Sequence, residues 1–172
     1  MGIMKKIFFL LCFLFTFGQV FSQAKSWIDL GSGAGFPGLV IAILLAENND
    51  AVVHLVEVDQ RKCTFLREVI RATGAPAIVH QGALETILLD LNADALTSRA
   101  LARLELLVEW SRPLLIQGTK AVFPKGRDVA LELNAIMGDT DLKVELRPSR
   151  TDPEAQLVLI EMAARAFDAN TI

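Results

Sequence analysis

The chain contains no tyrosine, only two histidines and only two cysteines among its 172 residues. Cys12 falls in an apolar N-terminal run, so the rest of the chain keeps Cys63 alone, and a single thiol makes neither an intramolecular disulfide nor a cysteine zinc cluster. Nothing in the body therefore asks for an oxidising compartment. The scarcity of histidine and cysteine leaves no arguable Ser-His-Asp or Cys-His constellation and no metal centre. His54 lies inside a β-type run and is expected to pack, while His80 closes another such run beside Gln81-Gly82, within possible reach of a ligand. Repeats, low-complexity tracts and interdomain linkers are also missing, which predicts a single folded domain.

Hydrophobicity is plentiful. A 52% hydrophobic composition and a mean hydropathy of +0.42 exclude disorder, and the length suffices for one domain with a real core. Part of this apolar character lies in Met4-Lys5-Lys6 followed by the run Ile7 to Phe17, then Gly18-Gln19 and the small residues Ser22 and Ala24. Two lysines, an apolar stretch and a small-residue cleavage point near Ser22 or Ala24 have the shape of a secretory leader. The run is shorter than the roughly 20 residues of a membrane helix, so no stable membrane association of the body is expected. Residues 1–26 are accordingly set apart as leader, and 27–172 as the folded domain. Without Lys5, Lys6 and Lys25, 14 basic face 20 acidic side chains, a formal charge of −6. A body this acidic is no general nucleic-acid binder, and any RNA contact has to come from a local patch.

From residue 27 onward, β-type runs alternate with amphipathic runs. Strands are predicted at Trp27–Leu30, Ala51–Glu57, Ala77–His80, Ala93–Ser98, Thr119–Phe123, Leu142–Leu146 and Gln156–Met162. Helices are predicted at Pro37–Glu47, Gln60–Thr73, a short turn near Leu84–Leu88, Leu101–Ser111 and Arg127–Met137. Cys63, Leu66, Val69 and Ile70 recur at helical spacing, with Arg67 and Arg71 on the outer face beside Gln60. The alternation predicts an α/β domain with a mostly parallel sheet, closed by an antiparallel edge pair because no helix separates the last two strands.

The densest feature is "DLGSGAGFPG", residues 29–38, directly after the first predicted strand. In an open α/β sheet this turn is where ligands bind. Gly33-x-Gly35-x-x-Gly38 fits the dinucleotide fingerprint, but Asp29 would set a carboxylate near the pyrophosphate and Pro37 removes an N–H from the first helical turn. A cationic or zwitterionic ligand reverses that preference. S-adenosylmethionine carries a sulfonium and an amino-acid head and no phosphate, and its ribose needs an acidic acceptor at the end of the second strand. "VVHLVEVD" supplies Glu57 there, with Asp59 close behind. The combination supports a methyltransferase cofactor pocket.

"WIDLGSGAGFPGLVIAI", "HLVEVDQRKCTFLREV", "TSRALARL", "FPKG" and "RTDPEAQLVLI" follow one another as in the ribosomal small-subunit methyltransferase G family, also called glucose-inhibited division protein B, which the chain resembles over about residues 27–163. Members of that family usually carry a largely helical segment before the first strand, so the chain is expected to be a family core joined to a leader. The resemblance implies a Rossmann-like class I S-adenosylmethionine-dependent methyltransferase fold with a seven-stranded, mostly parallel sheet. It implies methylation of the N7 of one guanine in 16S small-subunit ribosomal RNA, on naked RNA or a 30S particle, by a monomer in the cytoplasm; a genuine leader would instead direct export.

Carried over by position, Asp29, Gly31, Ser32, Gly33, Gly35 and Phe36 would line the amino-acid end of the cofactor, Glu57 would hold the ribose, and Ala83, Leu84 and Glu85 would lie against the adenine. Arg99 would stand by the methyl group and substrate, with Lys125 and Arg150 on the RNA side. Arg61, Lys62, Arg67 and Arg71 read as a solvated helix face. Other readings are a methyltransferase for a small molecule or protein, an inactive truncated member of the family and an NAD-binding reductase.

Overall fold

The computed structural model describes residues 24–48, 50–150 and 152–164. The leader assigned to 1–26 lies outside them up to residue 23. Seven strands form one sheet: β1 Ser26–Leu30, β2 Val52–Glu57, β3 Ala77–Gln81, β4 Ala95–Ser98, β5 Lys120–Lys125, β6 Leu142–Pro148 and β7 Gln156–Met162. Their order is β3-β2-β1-β4-β5-β7-β6. The first five are parallel, and β7 runs antiparallel between β5 and β6, which is the edge pair expected from the missing helix. Helices α1 Gly38–Leu44, α2 Gln60–Thr73, α3 Leu84–Ile87, α4 Leu104–Ile116 and α5 Val129–Asn134 fill the connections.

The two faces of the sheet bury separate cores. On one, Ile28, Leu30, Val56, Leu96 and Phe123 pack with Leu104, Leu107, Leu114 and Leu115 of α4. On the other, Trp27, Val53, Leu55 and Ala95 meet Leu39, Ile41 and Ala42 of α1 and Leu66 of α2. Strands covered on both sides have to be apolar throughout, and the short runs in the sequence have that composition.

α2 carries its boundaries in its residues. Asp59 caps it by accepting from the backbone N–H groups of Arg61 and Lys62, and Gly74 ends it at φ +67. Other boundaries were set by partners distant in sequence. β5 continues past Phe123 to Lys125, and β6 past Leu146 to Pro148, because both pair with Gln156 at the start of β7. α4 starts at Leu104 rather than Leu101 and runs through Pro113, since Leu114 and Leu115 beyond the proline are 1% exposed. The fold also begins before Trp27: the N–H groups of Lys25 and Ser26 donate to Asp94 Oδ2 at 2.8 and 2.9 Å, and Ala24 packs on the core.

Strand order reverses between β1 and β4, which leaves a crevice beyond their carboxyl ends. The glycine turn after β1 and the segment Arg99–Arg103 after β4 both open onto it.

Candidate cofactor and substrate site

The glycines after β1 answer to two kinds of neighbour. A Cβ at Gly38 would collide with the Asp29 side chain, and one at Gly31, where φ is +64, would stand 2.6 Å from Leu101 Cδ1. There the close approach comes from the protein itself. Gly33 differs, because a Cβ at that position would meet nothing nearer than the Gly31 carbonyl oxygen at 3.8 Å. Gly33 borders a cavity of about 350 Å³, lined also by Gly31, Glu57, Lys62, Leu84 and Arg99. That volume is in the range of small-molecule sites, roughly 300–1,000 Å³.

Glu57, at the end of β2, is 5% exposed and holds three backbone amides. Its Oε2 accepts from Gly33 N at 2.8 Å, and its Oε1 accepts from Val58 N and Asp59 N, each at 2.9 Å. A carboxylate oxygen accepts more than one hydrogen bond, so Oε2 keeps capacity for a ligand hydroxyl while fixing the glycine turn. Sequence placed Glu57 at the strand end; its grip on Gly33 required the fold.

Asp29 is 1% exposed and stands behind the turn rather than in the cavity wall. Its Oδ2 accepts from Gly38 N at 3.1 Å, whereas Oδ1 has no hydrogen-bond partner. Thr97, opposite Asp29 in the β1–β4 register, carries a second buried unpartnered atom, Oγ1. Burial pushes the Asp29 carboxyl up to about 7; Ser32, the Gly38 amide and the Arg99 charge pull the other way, and Glu57 adds to the rise. Ser32 ties the turn down through Oγ to the Asp29 carbonyl at 3.0 Å and N–H to the Val56 carbonyl at 3.0 Å. Gly35 packs on Leu39 and Leu66.

Arg99, exposed after β4, borders this cavity and a second one of about 580 Å³. Its guanidinium carbon lies 4.7 Å from the centre of the Phe36 ring, a cation–π contact. Ala100 and Leu101 complete the shared wall, and Ala100 holds a left-handed φ of 56°. Phe36, Lys125 and Glu132 face the larger cavity. The Lys125 ammonium is already engaged there: it pairs with Glu132 Oε2 at 2.7 Å and donates to the Ala102 carbonyl at 2.7 Å. Arg150 is exposed on the β6–β7 connection, whose Ser149, Asp152 and Ala155 border the same cavity.

Of the residues expected at the adenine, Leu84 lines the smaller cavity, while Ala83 and Glu85 are exposed at the start of α3 outside its lining. Sequence reasoning missed Lys62, Gly82, Ala100 and Leu101 in the cavity walls. Arg61, Lys62, Arg67 and Arg71 are all exposed, as a solvated face requires, yet Lys62 also reaches the cavity. His54 Nδ1 and His80 Nε2 lie 2.8 Å apart, and burial lowers the pKa of both; His80 does not border the cavity. Among the described residues no group of three or more His, Cys, Asp or Glu could hold a metal, and no helix is long and apolar enough to cross a membrane.

The residues fit S-adenosylmethionine on the structure's own terms. Glu57 offers an anchored acceptor for ribose hydroxyls, Val56, Leu84 and Leu101 offer apolar surface for the base, and Gly33 leaves room.

Strand order, the antiparallel edge and a glycine turn facing an acid on the second strand define the Rossmann-like fold of class I S-adenosylmethionine-dependent methyltransferases. Solved structures agree in fold. The SAH-bound Podospora anserina methyltransferase superposes with a TM-score of 0.67 at 13% identity, covering 88% of this chain and 76% of that one. The ribosomal protein L11 methylase from Lactobacillus delbrueckii subsp. bulgaricus gives 0.67 at 12% identity, covering 89% and 77%.

The family model for rRNA small subunit methyltransferase G matches residues 12–146, and the chain belongs to that family. The match begins upstream of Trp27, inside the stretch read as leader. Ribosomal RNA small subunit methyltransferase G of Methylorubrum extorquens is 44% identical over 144 residues, covering 83% of this chain and 68% of that protein. The Parvibaculum lavamentivorans protein of the same name is 47% identical over 139 residues, covering 80% and 62%. The chain thus spans about two thirds of the length of these relatives.

Proposed function

We propose that the protein transfers the methyl group of S-adenosylmethionine to the N7 of a guanine in 16S small-subunit ribosomal RNA. The observation that carries this reading is the single wall, Arg99-Ala100-Leu101, shared by the cavity at Glu57 and the larger cavity beside it. A cofactor in the first would present its methyl group across that wall to a base in the second. Gly31 and Gly33 line the amino-acid end, with Asp29, Ser32 and Gly35 shaping the turn behind them; Glu57 binds the ribose, Leu84 flanks the adenine, and Phe36 stands with Arg99 on the substrate side.

When bound, S-adenosylmethionine supplies an electrophilic methyl carbon. Guanine N7 carries a lone pair and no proton. Transfer of that methyl group to N7 would leave the carbon–sulfur electron pair on sulfur and would require no proton to leave N7. Alignment and electrostatics suffice, in keeping with a site that offers no evident general base. Arg99 would hold a phosphate or the guanine O6 edge in its planar fork. A ribosomal substrate puts the enzyme in the cytoplasm.

Labelled S-adenosylmethionine and small-subunit RNA lacking the modification test the reading. Transfer should yield 7-methylguanine and fall steeply with salt as counterions are released. Failure to transfer by a sample that binds cofactor would remove it. The −6 charge of the body supports the second reading, a small-molecule or protein acceptor, for which turnover would be insensitive to salt. Arg99→Ala is expected to keep cofactor affinity and lower transfer roughly tenfold through lost alignment, read by calorimetry alongside the transfer assay.

A further inference from the structure

Residues 99–103 link β4 to α4 and carry both Arg99 and Leu101, so the conformation of this link decides where the shared wall stands. Two side chains outside the link hold its backbone. Lys125 Nζ donates to the Ala102 carbonyl at 2.7 Å, and Glu132 Oε2 accepts from Leu104 N at 2.6 Å. The same Glu132 oxygen pairs with Lys125 Nζ at 2.7 Å, and the two side chains are only 10% and 17% exposed.

Taking two charges out of water is costly, and a pair of apolar side chains would fill this space with less penalty. What the charged pair adds is hydrogen bonding on both sides of Arg103, to a carbonyl in the link and to an N–H in the first turn of α4, where helix donors lack intrahelical acceptors. Glu132 also brings a negative charge to the positive end of the α4 dipole. On its other side the link leans on the glycine turn, with Leu101 against Gly31 and the Arg99 guanidinium over Phe36.

We propose that Lys125 and Glu132 are positioning residues that pin the 99–103 link and so set where Arg99 stands toward the methyl acceptor. This assigns Lys125 to the link rather than to an RNA phosphate, and it rests on the methyltransferase reading of the site.

The decisive variant is Lys125→Met with Glu132→Leu, which replaces the pair by apolar groups but cannot hold the two backbone groups. It is expected to melt close to the wild-type temperature, the relief of two desolvated charges offsetting the two backbone groups left unpaired, to keep KM for RNA and its salt slope, and to lose roughly tenfold in kcat through misplacement. Recovery of wild-type kcat together with stability would overturn the proposal, because the pair would then be merely structural. A raised KM and a salt slope reduced by about one in Lys125→Met alone would also overturn it, by showing a phosphate contact.

Should the double variant not fold, Glu132→Ala and Glu132→Gln decide. Glu132→Gln retains an oxygen for Leu104 N and is expected to keep most of the kcat that Glu132→Ala loses; wild-type kcat in Glu132→Ala would sink the idea. Hydrogen exchange at Leu104 N reads the pin independently of any substrate. Faster exchange in Glu132→Ala is expected, and unchanged exchange overturns the proposal. Absence of transfer by the wild-type enzyme would instead count against the proposed reaction.

Discussion

Glu57→Ala is expected to abolish measurable cofactor binding and to lower the unfolding temperature at the same time. From sequence alone, Glu57 is an acceptor for ribose, and its loss should leave the fold intact. The structure changes that expectation. Gly33, Val58 and Asp59 all donate backbone N–H groups to its buried carboxylate, so removal strands amides both in the glycine turn and at the end of β2. At about 1–3 kcal/mol for each buried donor left unsatisfied, and with water reaching some of them, the total cost is on the order of 3–5 kcal/mol.

A domain at the lower end of the usual range of roughly 5–15 kcal/mol would then be close to unfolding at growth temperature, and its lost binding would reflect lost folding. Glu57→Gln separates the two effects. The amide keeps one oxygen, which can satisfy Val58 and Asp59, but its NH2 then faces the Gly33 N–H, donor against donor. The glycine turn is released while the β2 end stays closed. The expected result is a folded protein whose affinity for S-adenosylhomocysteine, measured by calorimetry, falls on the order of 100-fold, equivalent to about 2.8 kcal/mol. Wild-type affinity in Glu57→Gln would show that neither the ribose contact nor the clamp on Gly33 matters.

Glu57 also shows what the sequence could and could not convey. Features set by local chemistry were legible: the helical spacing of Cys63, Leu66, Val69 and Ile70 places α2 at Gln60–Thr73, and the missing helix before Gln156 places the antiparallel edge. The glycine turn and the acid at the end of β2 were legible as a pocket only together, since the acid decides between the ligands that the glycine pattern alone admits. Contacts between residues far apart in sequence were not. Nothing around Lys125 announces that Glu132 and the Ala102 carbonyl take up its charge, and nothing around Gly31 announces Leu101. Pro113 would ordinarily end a helix, and only the burial of Leu114 and Leu115 explains why α4 continues. Asp29 lies between these cases. Its position beside the turn was readable, whereas its burial, which sets its chemistry, was not.

That burial makes the second large prediction one of pH. The Asp29 carboxyl is pushed up to about 7 from its ordinary 3.8, chiefly by desolvation. Between those values the folded protein keeps a proton that the unfolded chain has released, so stability falls as pH rises from about 4 to about 7, and above 7 the folded state carries the full cost of a buried charge. Asp29→Asn removes that cost. Its carbonyl can still accept from Gly38 N, although its NH2 takes the place of the buried Oδ1 and has to be desolvated in turn, which returns part of the gain. The net expectation is a variant more stable than wild type by about 2 kcal/mol at pH 8, with the gap closing toward pH 4, followed by thermal unfolding across that range.

Cofactor binding should move the opposite way. A ligand ammonium near the turn favours the ionised carboxylate, so wild-type affinity for S-adenosylhomocysteine should tighten between pH 5.5 and 7.5 with release of a proton, on the order of tenfold overall. Asp29→Asn should show neither the pH dependence nor the proton release in calorimetry run in buffers of different ionisation enthalpy. If the variant retained both, the field of Asp29 would not reach the ligand, and its carboxylate would serve only to seat Gly38.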